Sequence, residues 1–189
     1  MSFLYHTIIG FSILVASPAI ALRAIFSSNF RSDFLKRIFG YKILKSMNGC
    51  IWIHAASVGE VKLGETLISA LKEKGETRPI ILSTFTSTGF DQAKKDGVEH
   101  VFIMPPDFFL WVNSLLNRLC PAMLILIEAE MWPGLISECN RRKIPVLLAN
   151  GRITQKSFDR YQSFSFIFKW IEKNISIFSM RAKEDSDRV

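Results

Sequence analysis

Histidine and cysteine are scarce in this chain, with three of each in 189 residues. Cys50, Cys120 and Cys139 are odd in number, widely spaced and never paired as C-x-x-C. That argues against a disulfide framework or redox dithiol and reads as reduced, mostly buried thiols of a cytosolic domain. His6, His54 and His100 form no HExxH and no cluster with the cysteines, so a mechanism without metal or cofactor is expected. Neither GxGxxG nor the phosphate-loop pattern occurs, which argues against a tight nucleotide cradle. The net charge of +7 comes without a basic stripe interleaved with stacking aromatics, so no nucleic-acid partner is expected. Internal repeats and low-complexity tracts are missing as well.

Charge itself is missing from the first 22 residues if His6 is neutral, and this apolar run is about the ~20 residues needed to cross a bilayer as a helix. Ala19-Ile20-Ala21 resembles a signal-peptidase site, but the basic stretch a secretory signal carries ahead of its apolar run is absent. A retained membrane anchor over 1–22 is therefore the expectation. Cations follow instead: Arg23, Arg31, Lys36, Arg37, Lys42 and Lys45 stand against the single Asp33 between residues 23 and 47. By the positive-inside rule the bulk of the chain belongs on the cytoplasmic face of the inner membrane. Phe26, Phe30, Phe34 and Ile38 recur every four residues among these cations. Residues 23–47 thus read as a basic amphipathic segment on an anionic membrane surface, or as a helix packing that face on the domain core.

With 49% hydrophobic and 22% charged residues the remainder has globular composition and length for one ordinary domain. From residue 48 onward, short apolar runs alternate with helical ones, the pattern of a parallel sheet covered by helices. Strands are expected over 50–55, 79–84, 100–104, 122–127, 144–149 and 175–179. The clearest helix carries Leu63, Leu67, Ile68 and Leu71 and stops at Gly75. Others are expected over 88–96, 107–118, 132–142 and 157–173. Runs such as AMLILI and IPVLLA are continuous rather than alternating, as in strands buried on both faces. The fold class is α/β, one Rossmann-like domain over 48–189.

Ligands of open α/β sheets bind at the carboxyl ends of the strands. Those ends collect His54 to Glu60, Ser83 to Gly89, Met104 to Asp107, Glu128 to Pro133 and Asn150 to Ser157. In the first, Ser57 approximates the G-x-S-x-G nucleophile elbow, yet the only later histidine, His100, opens a strand instead of lying in a late loop. The Ser57-Val58-Gly59 turn could receive an anion, but Glu60 in the same helical turn would repel it. Ser57-x-x-Glu60 is also a capping box, a purely structural use of the carboxylate. Glu128 and Glu130 bring two more carboxylates to the rim, as acid–base chemistry would require. Trp132 reads as a core plug with Pro133 opening the next helix. Thr84, Ser87 and Thr88 serve either as helix-cap hydroxyls or as ligand contacts. Arg152 and Lys156 are either solvated charges or phosphate holders.

Taken together, HAASVGEV, STFTSTGFDQA, PPD, IEAEMWPGLI, RKIPVLLANGRIT with KSFDRY, and KEDSDR stand in an order and spacing that resembles the 3-deoxy-D-manno-octulosonic acid (Kdo) transferases of lipopolysaccharide assembly. The resemblance implies a membrane-associated, inverting glycosyltransferase of GT-B architecture, of which this chain is the N-terminal, acceptor-binding domain. It implies Glu60 as general base toward a hydroxyl of a lipid A precursor, CMP-Kdo as donor, and Glu130 as support for the transition state. Ser57, Gly59, Thr84, Ser87, Thr88, Glu128, Arg152 and Lys156 become expected substrate contacts. Family members run to roughly twice this length, with ~100–200 residues per domain. The C-terminal domain, which binds most of the donor, is thus expected to be absent here, the chain being a fragment, a split-gene product whose C-terminal half is separately encoded, or a decayed remnant. The alternative is a non-catalytic lipid-binding module at the membrane surface, or an inactive remnant of the enzyme.

Overall fold

The computed structural model describes residues 2–44, 46–128, 132–152, 169–170 and 173–186. An apolar helix α1 (Ser2–Phe26) opens the chain, longer at its far end than the expected 1–22. Its apolar span runs Tyr5–Phe26, which is long enough to cross a membrane by length and composition. Pro18 inside α1 has no N–H to give to the carbonyl of Leu14. The Ser17 hydroxyl donates to that oxygen instead, at 2.7 Å, and the helix continues. Ser27 then caps α2 (Ser28–Phe39), accepting from the N–H of Phe30.

The apolar face expected over 23–47 is covered by the domain at one end only. Phe26 is 82% exposed at one end, whereas Ile38 is 6% exposed at the other and Tyr41, in the 3-10 turn that follows, is 1% exposed. Arg37 is not a free surface cation. Its guanidinium donates to the carbonyls of Phe85 (2.7 Å) and Met104 (3.1 Å) and lies 4.6 Å over the Phe85 ring.

Six strands form one fully parallel sheet: β1 (Ile51–His54), β2 (Ile80–Thr84), β3 (Val101–Ile103), β4 (Met123–Ile127), β5 (Val146–Gly151) and β6 (Ile177–Met180). Four helices connect the described strands: α3 (Val58–Glu73), α4 (Ser87–Lys95), α5 (Phe109–Leu119) and α6 (Pro133–Arg141). Every expected strand is present. The fifth starts two residues late, because Lys143 turns through a left-handed φ of 59° and Pro145 cannot donate to a ladder. Of the helix expected over 157–173, residues 169, 170 and 173 are helical and the rest lies outside the described residues.

Alternate strand residues feed two cores. Trp52, Ile81, Phe102, Leu124, Leu126 and Leu148 pack with Leu115, Leu116, Leu135 and Ile136 of α5 and α6 on one face. Ile51, Ile53, Leu82, Ile125 and Ile127 pack with Val61 and Ala93 of α3 and α4 on the other. This double burial is why the strand sequences are apolar without interruption. Cys50 and Cys139 lie buried with the core, as expected for most of the thiols, while Cys120 is exposed at the end of α5.

The strand order is β3-β2-β1-β4-β5-β6. The chain therefore runs outward from β1 in one direction, returns, and continues outward from β4 in the other. Such a reversal opens a crevice at the carboxyl ends of β1 and β4, where ligands of doubly wound folds bind.

Candidate active site

The two loops that flank this crevice are HAASVGE after β1 and the Glu128–Pro133 segment after β4. In the first, Ser57 caps α3: its hydroxyl oxygen accepts the Glu60 N–H at 3.4 Å and its O–H donates to Glu60 Oε1 at 2.9 Å. The other carboxylate oxygen, Oε2, accepts the N–H of Ala56 at 2.8 Å. Glu60 is thus 9% exposed and held at both oxygens, with its backbone at the positive end of a 16-residue helix. This is a variant of the capping box, in which the carboxylate reaches the N–H of Ala56 rather than that of the cap residue Ser57, and it fixes the carboxylate at the rim. Gly59 is exposed, and an added Cβ would meet only the Ser57 hydroxyl, at 3.9 Å. The protein's own packing does not require a glycine there.

Ala56 also ties this loop to the next. Its carbonyl accepts from the N–H groups of Phe85 and Thr86 and from the Thr86 hydroxyl, all at 3.3 Å. Thr86 in turn caps α4 by accepting the Gly89 N–H at 3.1 Å. Neither Ala56 nor Thr86 stood out in the sequence as a site residue. The Thr-x-x-Gly spacing before a helical run was the available signal for Thr86.

Thr84 corrects an expectation. It is wholly buried and donates its hydroxyl to the Thr86 carbonyl at 3.1 Å, so it shapes the loop from beneath and offers no surface to a ligand. Ser87, in the first turn of α4, and the exposed Thr88 remain at the rim. Thr88 donates to the Thr86 hydroxyl at 3.3 Å. Beneath them, Ser83 accepts from Trp52 Nε1 at 2.7 Å and pairs with His54 Nδ1 at 2.8 Å. His54 is completely buried, and burial pulls its pKa down to about 3.

Across the crevice, Glu128 ends β4 with φ of +61°, a left-handed backbone that non-glycine residues adopt at some cost. Its N–H donates to the Ala149 carbonyl at 2.9 Å. Asn150, at the end of the neighbouring β5, has φ of +57°, and the ladder to β6 shifts register there. Arg152 follows, exposed, at the same rim. Glu130 and Lys156 lie outside the described residues. Trp132 precedes α6, with the His54 ring edge-on at 5.4 Å and the Phe85 ring at 5.4 Å. The plug expected at this position is therefore aromatic packing between the two loops.

Asp107 has a different use from the one its place in the MPPD segment suggests. It is 6% exposed, accepts the N–H groups of Gly134 (2.7 Å) and Leu135 (2.8 Å) at the start of α6, and accepts the Tyr5 hydroxyl at 2.8 Å. Burial raises its pKa, and the bonds from Tyr5, Gly134 and Leu135 oppose that rise.

The serine-hydrolase reading fails on this geometry. The Ser57 hydroxyl faces a carboxylate, while His100 stands at the amino end of β3 beside Glu99, at the opposite end of the parallel strands. Among the described residues no three His, Cys, Asp or Glu side chains gather to hold a metal.

A family model described as 3-deoxy-D-manno-octulosonic-acid transferase (kdotransferase) matches residues 32–189. The chain is 35% identical over 143 residues to a bifunctional glycosyltransferase/methyltransferase of Fusobacterium nucleatum, an overlap of 74% of this chain and 22% of that one. It is 37% identical over 114 residues to the 3-deoxy-D-manno-octulosonic acid transferase of Haemophilus influenzae (59% and 26%). With the transferase of Aquifex aeolicus it shares 30% over 158 residues (82% and 40%). The matched region spans between 22% and 40% of the length of these relatives. By the family model and by the parallel six-stranded sheet that carries its motifs, the chain belongs to the 3-deoxy-D-manno-octulosonic-acid transferase family and has a Rossmann-like α/β fold.

Proposed function

We propose that this chain is the acceptor-side domain of an enzyme that moves Kdo from CMP-Kdo to a hydroxyl of a lipid A precursor, with inversion at the anomeric carbon, on the cytoplasmic face of the inner membrane. One observation carries the reading most directly: Glu60 sits at the rim beside the switch point, with both oxygens oriented by the Ala56 N–H and the Ser57 O–H. A general base must be held within reach of the proton it takes, and a carboxylate fixed this way at an open crevice meets that need.

In the proposed step Glu60 takes the proton of the acceptor hydroxyl as its oxygen attacks the anomeric carbon. The bond from that carbon to the phosphate oxygen breaks, and CMP leaves with the electron pair. Glu130 would support the developing positive charge of the oxocarbenium-like transition state. Gly59, which the protein's own packing leaves uncrowded, would let the acceptor sugar approach the first turn of α3. Ser57, Ser87, Thr88 and Glu128 would bind polar groups of the sugars, and Arg152 with Lys156 would hold phosphate. The donor would be held mainly by a second Rossmann-like domain facing this rim, on a longer chain or on a separately encoded one, and that domain would exclude water from the crevice.

Transfer of radiolabelled Kdo to a tetraacyl lipid A precursor, with a donor-binding domain of the family supplied, tests the proposal. Glu60→Gln should lower the rate by a factor on the order of 100 to 10,000 with little change in acceptor KM. An unchanged rate removes Glu60 as the base. Glycolipid binding that persists without transfer under any complementation would favour the lipid-binding module instead.

A further inference from the structure

His54 ends β1 at the switch point, and its side chain leaves one polar atom to account for. The residue is fully buried, and its Nε2 has no hydrogen-bond partner among the described residues. Buried donors and acceptors are nearly always paired, so an exception at the floor of a crevice calls for a physical reason.

The donors around Ser83 decide whether Nε2 carries a proton. Trp52 Nε1 can only donate, so the Ser83 oxygen accepts from it, at 2.7 Å. The Ser83 hydroxyl is itself fully buried and has His54 Nδ1, at 2.8 Å, as its other partner. Its O–H therefore donates to Nδ1. Burial keeps the imidazole neutral at neutral pH, so its single proton stands on Nε2.

Trp132 packs on this imidazole with ring centres 5.4 Å apart and planes at 88°. In such a T-shaped pair an N–H on the edge of one ring can be received by the π face of the other. Trp132 is also packed by Phe85, at 5.4 Å, and Phe85 lies under the Arg37 guanidinium at 4.6 Å. Trp132 stands just ahead of Pro133 at the start of α6, and the far end of the Glu128–Pro133 segment is tied by the Glu128 N–H to the Ala149 carbonyl. On the other loop, His54 comes two residues before Ala56, whose N–H holds Glu60. The pair therefore joins the loop of one carboxylate to the segment of the others.

We infer that His54 is a positioning residue: its Nε2–H points into the face of the Trp132 indole and holds that end of the Glu128–Pro133 segment in place against the loop that carries Glu60. It touches neither donor nor acceptor. It acts on the rate through the carboxylates that do, where a displacement of about 1 Å costs on the order of 100-fold. Only this effect on rate rests on the glycosyl transfer proposed above; the contact itself rests on the geometry of the two rings.

Two measurements on the full chain in detergent micelles test it. Isotope-labelled histidine gives nitrogen–proton spectra of three imidazoles, and His54→Gln assigns the signal of His54. Its proton should reside on Nε2 and resonate upfield, shielded by the indole ring current, and Trp132→Leu should abolish that shift. A proton on Nδ1, or a downfield resonance such as a bond to water or a carbonyl gives, overturns the contact. The second measurement is transfer kinetics with a donor-binding domain supplied. His54→Phe keeps a ring without an N–H and should lower kcat about 10- to 100-fold, with acceptor KM held within about two-fold. His54→Gln, which restores an N–H at the end of the side chain, should recover most of that loss. Trp132→Leu should cost as much as His54→Phe, and the double variant no more than either, since both remove one interaction. If His54→Phe does not fold, Trp132→Leu with His54 intact carries the kinetic test. A loss carried by KM, additive losses or no recovery with glutamine overturns the positioning role. Absence of transfer by the unsubstituted chain removes the proposed function and the positioning role together, while the spectrum still decides the contact.

Discussion

Helices α3 and α6 start on opposite sides of the crevice between β1 and β4, and both starts are satisfied by a buried carboxylate. At α3 the carboxylate is local: Glu60 reaches back across its own first turn to Ala56 and Ser57. At α6 it is borrowed, because Trp132 gives no side-chain cap and Pro133 has no N–H. Asp107, 27 residues earlier in the chain, takes the N–H groups of Gly134 and Leu135. The local cap leaves its carboxylate at the rim of an open crevice. The borrowed cap is closed over by Tyr5 and serves the fold alone. One rim thus holds two carboxylates with different partner sets, one open to the crevice and proposed as the base, the other closed into the fold.

The contrast is broken most severely by Asp107→Ala. Two charge-assisted bonds to backbone N–H groups and the Tyr5 bond disappear together, leaving buried donors unpaired, so unfolding in urea should register a loss of about 3 kcal/mol. A loss near zero would mean that water replaces the carboxylate.

His54 joins the two starts, since it ends β1 and packs on Trp132. Burial holds its pKa near 3, against about 6.5 in an unfolded chain. Between these values the unfolded state binds a proton that the folded state does not. Stability is therefore full above about pH 6.5 and falls as pH drops toward 3, by about 1.4 kcal/mol per unit. Urea midpoints followed from pH 7 to 4.5 should show this acid limb, and His54→Gln should flatten it.

Glu60→Gln sharpens the comparison from the other side. The amide still accepts one of the two bonds, so the cost in stability should be about 1 kcal/mol by the same urea measurement. A cost as large as that of Asp107→Ala would make Glu60 a structural group. The smallest effect belongs to Tyr5→Phe, which keeps the ring and both α6 bonds and removes one hydroxyl. A loss of about 0.5–1 kcal/mol is expected, with faster amide exchange in the first turns of α1 than in α6.

Legibility followed the range of the interactions. The capping box at Ser57 and Glu60 was readable because its members lie three residues apart. Pro133 at the first turn of α6 was readable from its missing N–H. Asp107 was not, since nothing within a few residues of it marks a helix start. Thr84 and Thr88 look alike in sequence, and only the β2 ladder puts the first beneath the loop and the second upon it.

What the amino-acid order determined by itself was the alternation of continuous apolar strands with helices, the apolar first helix, and the gathering of unusual residues at strand ends. These follow from local propensity, hydrophobic pattern and caps. Strand order was decided only in three dimensions. The placement of β4 beside β1 rather than β3, and with it the crevice between Glu60 and Glu128, depends on which apolar ribbons pair across 72 residues of chain. The pairing surfaces of buried parallel strands are chemically alike, so only the packing of the whole sheet and its helices selects among them.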